Sequence, residues 1–269
     1  MQMAGKVMKY LFGNRRGQAM CEYAVRKATE LMGIGSGDDV ATSGERSVLS
    51  ILERQFPAPY CIFDVGANRG QFMEMVVSCL NTRDYTVHCF EPSKSAFAVL
   101  AEKASGNGRV VLNNIGLGGK PGEFTLYYNE PGSEIASLTQ RRLDHLGIDF
   151  SQSETVRIDT LDSYCETRGI VAIDLLKLDV EGHELDVLEK GSLNMFGKGA
   201  IKMVSFEFGG CNIDTRTFFQ DFFYFFKDRG MKIYRITPSG YMHHVDTYSE
   251  ILEQFRTTNF LATGVDLQV

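Results

Sequence analysis

The chain has 269 residues, 43% of them hydrophobic and 23% charged, with a formal net charge of -6. That length holds one large domain with a sizeable core, and the ordinary composition excludes a disordered or fibrous chain. The negative charge argues against nucleic acid as a partner. No apolar run is long enough to span a bilayer, and the N-terminus shows no cleavable signal pattern. The six cysteines form no Cys-x-x-Cys pair, which reads as free thiols in a reducing cytoplasm.

Residues 1–42 read as a helical extension. Met8, Leu11, Met20, Tyr23, Ala24, Ala28, Leu31 and Met32 recur at helical spacing, and Asn14-Arg15-Arg16-Gly17 interrupts them. Such an extension is a packing appendage, a cap over the site, or a peripheral contact with an anionic membrane surface. Gly33 to Gly37 reads as a flexible link. The main domain is expected over 43–269. It starts with a helix from Ser43-Gly44-Glu45 through Leu52, and Glu45 can face a ligand crevice.

The segment from Ile62 to Gly70 (IFDVGANRG) carries the most information. It reads as a buried strand, a glycine turn and then a helix from Gln71 to Leu80. That is the shape of a nucleotide crevice in an open parallel sheet. A pyrophosphate-binding turn wants Gly-x-Gly-x-x-Gly, but Asp64 stands at the first glycine and only Gly66 follows in register. A carboxylate there repels a pyrophosphate and attracts a cationic ligand. Gly70 opens the helix.

A second strand, Tyr85 to Phe90, ends in Glu91-Pro92. Glu91 is placed to accept hydrogen bonds from ribose hydroxyls, and Pro92 presets the turn into a helix over Lys94 to Lys103. A third strand, Arg109 to Asn113, leads to Asn114 and Gly116. Asn114 lies near an adenine or is part of an ordinary turn.

Further strands at 173–179, 200–208 and 231–237 alternate with helices, and a last apolar strand covers 259–263. This alternation predicts a mostly parallel sheet with helices on both faces. Gly122 to Tyr128 and Thr155 to Ile158 add short extended pieces. Between them, 129–154 reads as a binding loop walling the acceptor side, where Arg141 and Arg142 can hold an acidic group. In the aromatic helix Thr217 to Arg229, Phe218, Phe222, Phe225 and Phe226 form a core stripe. Phe219 and Phe223 fall off it and are free to meet a second subunit or a lipid-like acceptor.

The strand Leu175 to Leu178 delivers Asp179, Glu181 and His183 ahead of a helix ending at Gly191. The following strand delivers Glu207. Lys177 points at the crevice or pairs with a buried acid. These four acidic and imidazole groups are the catalytic candidates. The base is left open among Asp179, Glu181 and His183. Oxygen and imidazole donors of this kind also accept Mg²⁺ or Mn²⁺, but nothing in the spacing demands a metal and none is expected. His243-His244 lie in a turn from which one can approach the site.

The segments FDVGANRGQF (63–72), FEPSKSAFAVL (90–100), NNIGLGG (113–119), IDTLDSYC (158–165), IDLLKLDVEGHELDVLEKG (173–191) and VSFEFGG (204–210) resemble the FkbM family of methyltransferases. The resemblance implies a Rossmann-like class I methyltransferase fold, α/β, with a seven-stranded, mostly parallel sheet and an antiparallel last strand. It implies S-adenosyl-L-methionine as cofactor and transfer to a hydroxyl oxygen of a sugar, glycan or secondary metabolite. The cofactor-binding candidates are then Asp64, Gly66, Asn68, Gly70, Glu91 and Pro92 on the first two strand ends. Asn114, Gly116 and Asp179 complete the set. The rivals are methylation of a carboxylate or nitrogen, a catalytically silent scaffold, and a nicotinamide oxidoreductase, against which Asp64 counts. A homodimer stays open.

Overall fold

The computed structural model describes residues 9–37 and 42–267. Met8, one of the helix-spaced apolar positions, lies outside the described residues. An N-terminal helix α1 (Arg15–Leu31) is capped by Asn14, whose side chain accepts from the Gly17 amide. The Asn14 break is therefore a helix start. α2 (Arg46–Gln55) follows and buries Val48, Leu49, Ile51 and Leu52.

The central elements alternate as read from the sequence. They are β1 (Tyr60–Val65), α3 (Gln71–Cys79), β2 (Tyr85–Phe90), α4 (Lys94–Lys103) and β3 (Val110–Asn113). Next come β4 (Gly116–Leu117), β5 (Gly122–Tyr128), β6 (Gln152–Asp159) and α5 (Leu161–Arg168). β7 (Leu175–Leu178) leads to α6 (Glu184–Asp186), a wide turn over Val187–Gly191 and α7 (Leu193–Gly197). β8 (Met203–Phe208), α8 (Cys211–Thr215), α9 (Phe219–Lys227), β9 (Lys232–Ile236), β10 (Met242–Val245) and β11 (Thr258–Thr263) complete the chain.

The main sheet has the order β10-β9-β11-β8-β7-β1-β2-β3. β3, β2, β1, β7 and β8 run parallel, and β11 is inserted antiparallel between β8 and β9. This is the class I methyltransferase arrangement with an eighth strand, β10, added antiparallel on β9 at the edge. His243 and His244 lie on that edge strand and are exposed, so neither approaches the site. The chain winds outward from β1 through β2 to β3, then returns to place β7 on the other side of β1. Ligands bind at such a switch point, beyond the carboxyl ends of the strands.

Both faces of the sheet are covered, as a parallel sheet requires. In β1, Tyr60 and Ile62 join the cluster with α2 and α3, while Phe63 and Val65 join the opposite one. The second cluster contains the aromatic helix α9. Its first residue is Phe219, so Phe218 lies outside the helix and is 48% exposed. Phe219 and Phe223 are buried, against Phe260 of β11 and Tyr248 of the β10–β11 connection. The chain after β10 thus covers the side of the helix that lies off the core stripe.

The extended pieces after β3 form a second sheet, in the order β4-β6-β5. Gly33 to Gly37 is not a loose link. The amides of Gly35 and Gly37 both donate to the Thr257 carbonyl, at 2.9 and 3.2 Å, and Arg235 Nε donates to the Met32 carbonyl at 2.8 Å. No helix among the described residues is long and apolar enough to cross a membrane.

Candidate active site

The ends of β1, β7 and β8 open into one cavity of about 900 Å³. β1 leaves the sheet through Gly66, with φ 82°, and a β-carbon there would collide with the Asp179 carbonyl. Only glycine combines that dihedral with that approach. The amides of Gly66 and Ala67 both donate to the Phe90 carbonyl at 3.0 Å. Glu91 then ties the two turns together: Oε2 accepts from the Asn68 amide at 2.9 Å and Oε1 from the Ser93 amide at 2.7 Å. Each oxygen keeps a further lone pair for a ligand hydroxyl.

A dense group of carboxylates surrounds one ammonium. Lys177 Nζ lies 2.9 Å from Asp179 Oδ2 and 3.8 Å from Glu45 Oε1. Burial pulls the Lys177 ammonium down, but Asp179, Glu45 and Asp64 more than offset this and raise it. Burial also pushes Asp64 up to about 7, and Glu91 likewise to about 7. Glu45 Oε1 and Asp64 Oδ2 are buried with no hydrogen-bond partner among the described residues. A cavity wall with more carboxylates than the one Lys177 ammonium balances suits a cationic ligand and repels a pyrophosphate. No group of three or more His, Cys, Asp or Glu side chains among the described residues is arranged to hold a metal.

The loop between β5 and β6 bridges the crevice. At one end, Asn68 Nδ2 and Arg69 Nη2 donate to the carbonyls of Ser133 and Gly132, at 3.3 and 3.1 Å. At the other, alternate residues engage the turn after β7. Ser137 Oγ donates to the Glu181 carbonyl at 2.8 Å, and Thr139 Oγ1 lies 3.0 Å from His183 Nε2. Arg141 donates to Glu181 Oε2 at 2.7 Å and to Asp214 Oδ2 at 3.3 Å. Arg141 is therefore committed to protein carboxylates rather than open to an acceptor. Arg142 is exposed on the rim beside Asp144.

Glu181 adopts φ 51° and Gly182 φ 98°, and α6 begins only at Glu184. Asp179 and Glu181 both precede the helix, and His183 is its N-cap residue. Glu184 holds the turn, accepting from the amides of Val180 and Gly182 at 2.9 and 3.2 Å. His183 Nδ1 lies 3.2 Å from Asp186 Oδ2, and Lys190 Nζ donates to Asp186 Oδ1 at 2.6 Å. The His183 hydrogen bond, helped by Lys190, holds the Asp186 carboxyl down at about 2. An ionised carboxylate only accepts, so Nδ1 carries a proton toward Asp186, and Nε2 shares a hydrogen bond with the Thr139 hydroxyl.

Glu207 differs from the other three catalytic candidates. It lines the cavity, and no hydrogen bond to its carboxyl is found among the described residues. Withdrawal from water, with Asp179 and Glu181 nearby, raises its carboxyl well above the usual range.

Asp64, Gly66, Asn68, Glu91, Pro92 and Gly116 line this cavity, as do Asp179, Glu181, His183 and Glu207. Gly70 and Asn114 do not. Gly70, at φ 87°, sets the start of α3. Asn114 is exposed and holds the second turn from outside, donating to the Glu91 and Pro92 carbonyls at 2.8 and 3.2 Å. Sequence reading missed Asp186, Thr139 and Arg256. Asp186 had a signal, standing three residues after His183 and four before Lys190, the spacing at which side chains meet on a helical turn. Thr139 and Arg256 had none, because only the tertiary fold brings them in.

The model of the Methyltransferase FkbM domain matches residues 64–233. The chain belongs to this family. It is 28% identical over 152 residues to the hexuronic acid methyltransferase AglP of Haloferax volcanii, covering 56% of this chain and 57% of that protein. It is 26% identical over 155 residues to the 2-O-methyltransferase NoeI of Sinorhizobium fredii, covering 54% of this chain and 62% of that one. The match thus spans about three fifths of each relative. A crystal structure of methyltransferase FkbM from Methylobacillus flagellatus KT aligns over 80% of this chain and 47% of that chain, at 14% identity and TM-score 0.45. At that level the likeness adds nothing to the fold read from the strand order.

Proposed function

We propose that this chain transfers a methyl group from S-adenosyl-L-methionine to a hydroxyl oxygen of a sugar or glycan. The observation that carries this reading is the buried Asp64 carboxylate in the cavity wall, whose Oδ2 has no hydrogen-bond partner among the described residues, beside buried Glu45. When bound, the cofactor supplies an electrophilic methyl on a sulfonium. Asp64 and Glu45 would hold its cationic amino-acid end, and Glu91 its ribose hydroxyls. The sugar is taken from the name of one relative, a hexuronic acid methyltransferase, and the oxygen from that of the other, a 2-O-methyltransferase.

The acceptor needs a base, because an alcohol is a weak nucleophile. Asp179 is held by Lys177, Glu181 by Arg141, and His183 by Asp186 and Thr139. That leaves Glu207, which lines the cavity with no hydrogen bond to its carboxyl among the described residues, as the group assigned to take the proton. Glu207 would take the proton of the acceptor hydroxyl as that oxygen receives the methyl group the bound cofactor would supply. His183 and Arg141 keep the bridging loop over the reaction and exclude water.

Incubation with methyl-labelled cofactor and a panel of neutral and acidic saccharides tests this. Alkali-stable label on a sugar supports an ether-forming O-methyltransferase. Alkali-labile label on acidic saccharides alone replaces it with methyl-ester formation on a carboxylate.

A further inference from the structure

Arg256 lines the acceptor side of the cavity, just before β11. In that strand Asn259 pairs with Glu207, so Arg256 precedes the partner of the assigned base by three residues. The other cavity cations carrying side-chain ion pairs are already committed. Lys177 pairs with Asp179 and Glu45, Arg141 with Glu181 and Asp214, and Arg142 with Asp144. Arg256 has no carboxylate at ion-pair distance among the described residues. It is nonetheless held in place. Nη1 donates to Thr29 Oγ1 at 2.6 Å, and the guanidinium lies so close against Gly35 that a β-carbon there would collide with it. The amides of Gly35 and Gly37 fix the adjoining Thr257 carbonyl. A guanidinium has five N–H donors, and the protein uses few of these. A half-buried, immobilised guanidinium with no carboxylate at contact distance suits a ligand that brings an anion.

We propose that Arg256 is an anion subsite for the acceptor, taking a carboxylate or a phosphate on the saccharide, and that Thr29 and Gly35 of the N-terminal segment position it. The word acceptor rests on the methyl-transfer reading; the anion subsite itself does not.

The test is calorimetric binding of glucuronic acid, glucose 6-phosphate and glucose, with and without saturating S-adenosylhomocysteine. Wild type is compared with R256Q, R256K and T29V. Wild type binds at least one charged sugar about tenfold or more tighter than glucose, and which one identifies the anion. R256Q loses that preference, R256K keeps part of it, and T29V falls between. Unchanged S-adenosylhomocysteine affinity in all variants shows that the fold is intact. A wild type without preference for a charged sugar, or an R256Q protein that keeps the preference, overturns the proposal. Preference lost in R256Q by a protein that binds no adenosyl ligand overturns methyl transfer instead and leaves the subsite standing.

Discussion

The Lys177 ammonium lies 2.9 Å from the carboxylate of Asp179, its neighbour two positions along the chain, at the end of β7. The Lys177 side chain is only 5% exposed, and Glu45 and Asp64 face the same ammonium. One cation thus balances three carboxylates at the floor of the cavity. K177M removes that cation and leaves the acids uncompensated. It should destabilise the protein by about 3–5 kcal/mol, read as a lowered urea midpoint. Adding E45Q to K177M should recover part of the loss, because it removes one of the stranded charges.

Gly66→Ala should be worse tolerated than an ordinary surface change. The substitution is strained at φ 82° and drives a β-carbon into the Asp179 carbonyl. β1 and β7 pair just below this point, Val65 with Leu178. The expected cost exceeds about 3 kcal/mol, measured by denaturant unfolding. A Gly66→Ala protein with wild-type stability would show that the two strand ends are not in contact.

Asp64 sets opposite pH trends for stability and for binding. Its carboxyl rises to about 7 in the fold, against about 4 unfolded. Its stabilising contribution is therefore complete below about pH 4 and is lost as pH rises through about 7. Glu91 adds a trend of the same sign. A cationic cofactor needs the ionised carboxylate, so its affinity rises over that window, and binding near pH 6 releases protons. Thermal melts and titrations of S-adenosylmethionine from pH 5 to 8, in buffers of different ionisation enthalpy, read both trends. D64N should flatten the second and weaken binding. Cofactor affinity independent of pH in wild type would remove Asp64 from the cofactor site.

Glu207 and His183 separate by kinetics. E207Q removes the assigned base, so kcat should fall about 10²–10⁴-fold with cofactor affinity little changed. H183Q loosens the bridging loop at Thr139, so its main effect should be a raised acceptor KM. The reverse pattern would make His183 the base.

The sheet was legible because its strands are short apolar runs separated by helices, and the Lys94–Lys103 helix was delimited by Pro92 and the residues after it. The edge strand β10 was missed because Met242-His243-His244-Val245 has no buried run: its two central residues are exposed. The acidic turn residues were also legible, since Asp64, Glu91 and Asp179 end buried strands. Their partners were not. Arg141 meets Glu181 across forty positions, and Arg256 meets Thr29 across more than two hundred. Local pattern carries no record of such contacts, which is why Arg141 read as an acceptor ligand and Arg256 went unnoticed.

The central claim is that the carboxylate-lined crevice takes an adenosyl sulfonium cofactor. Isothermal titration with S-adenosylmethionine, S-adenosylhomocysteine and NADH tests it most directly. The account predicts micromolar-range binding of both adenosyl ligands, weakened in D64N, and no binding of NADH. Binding of NADH, or no adenosyl binding by folded protein, would contradict it.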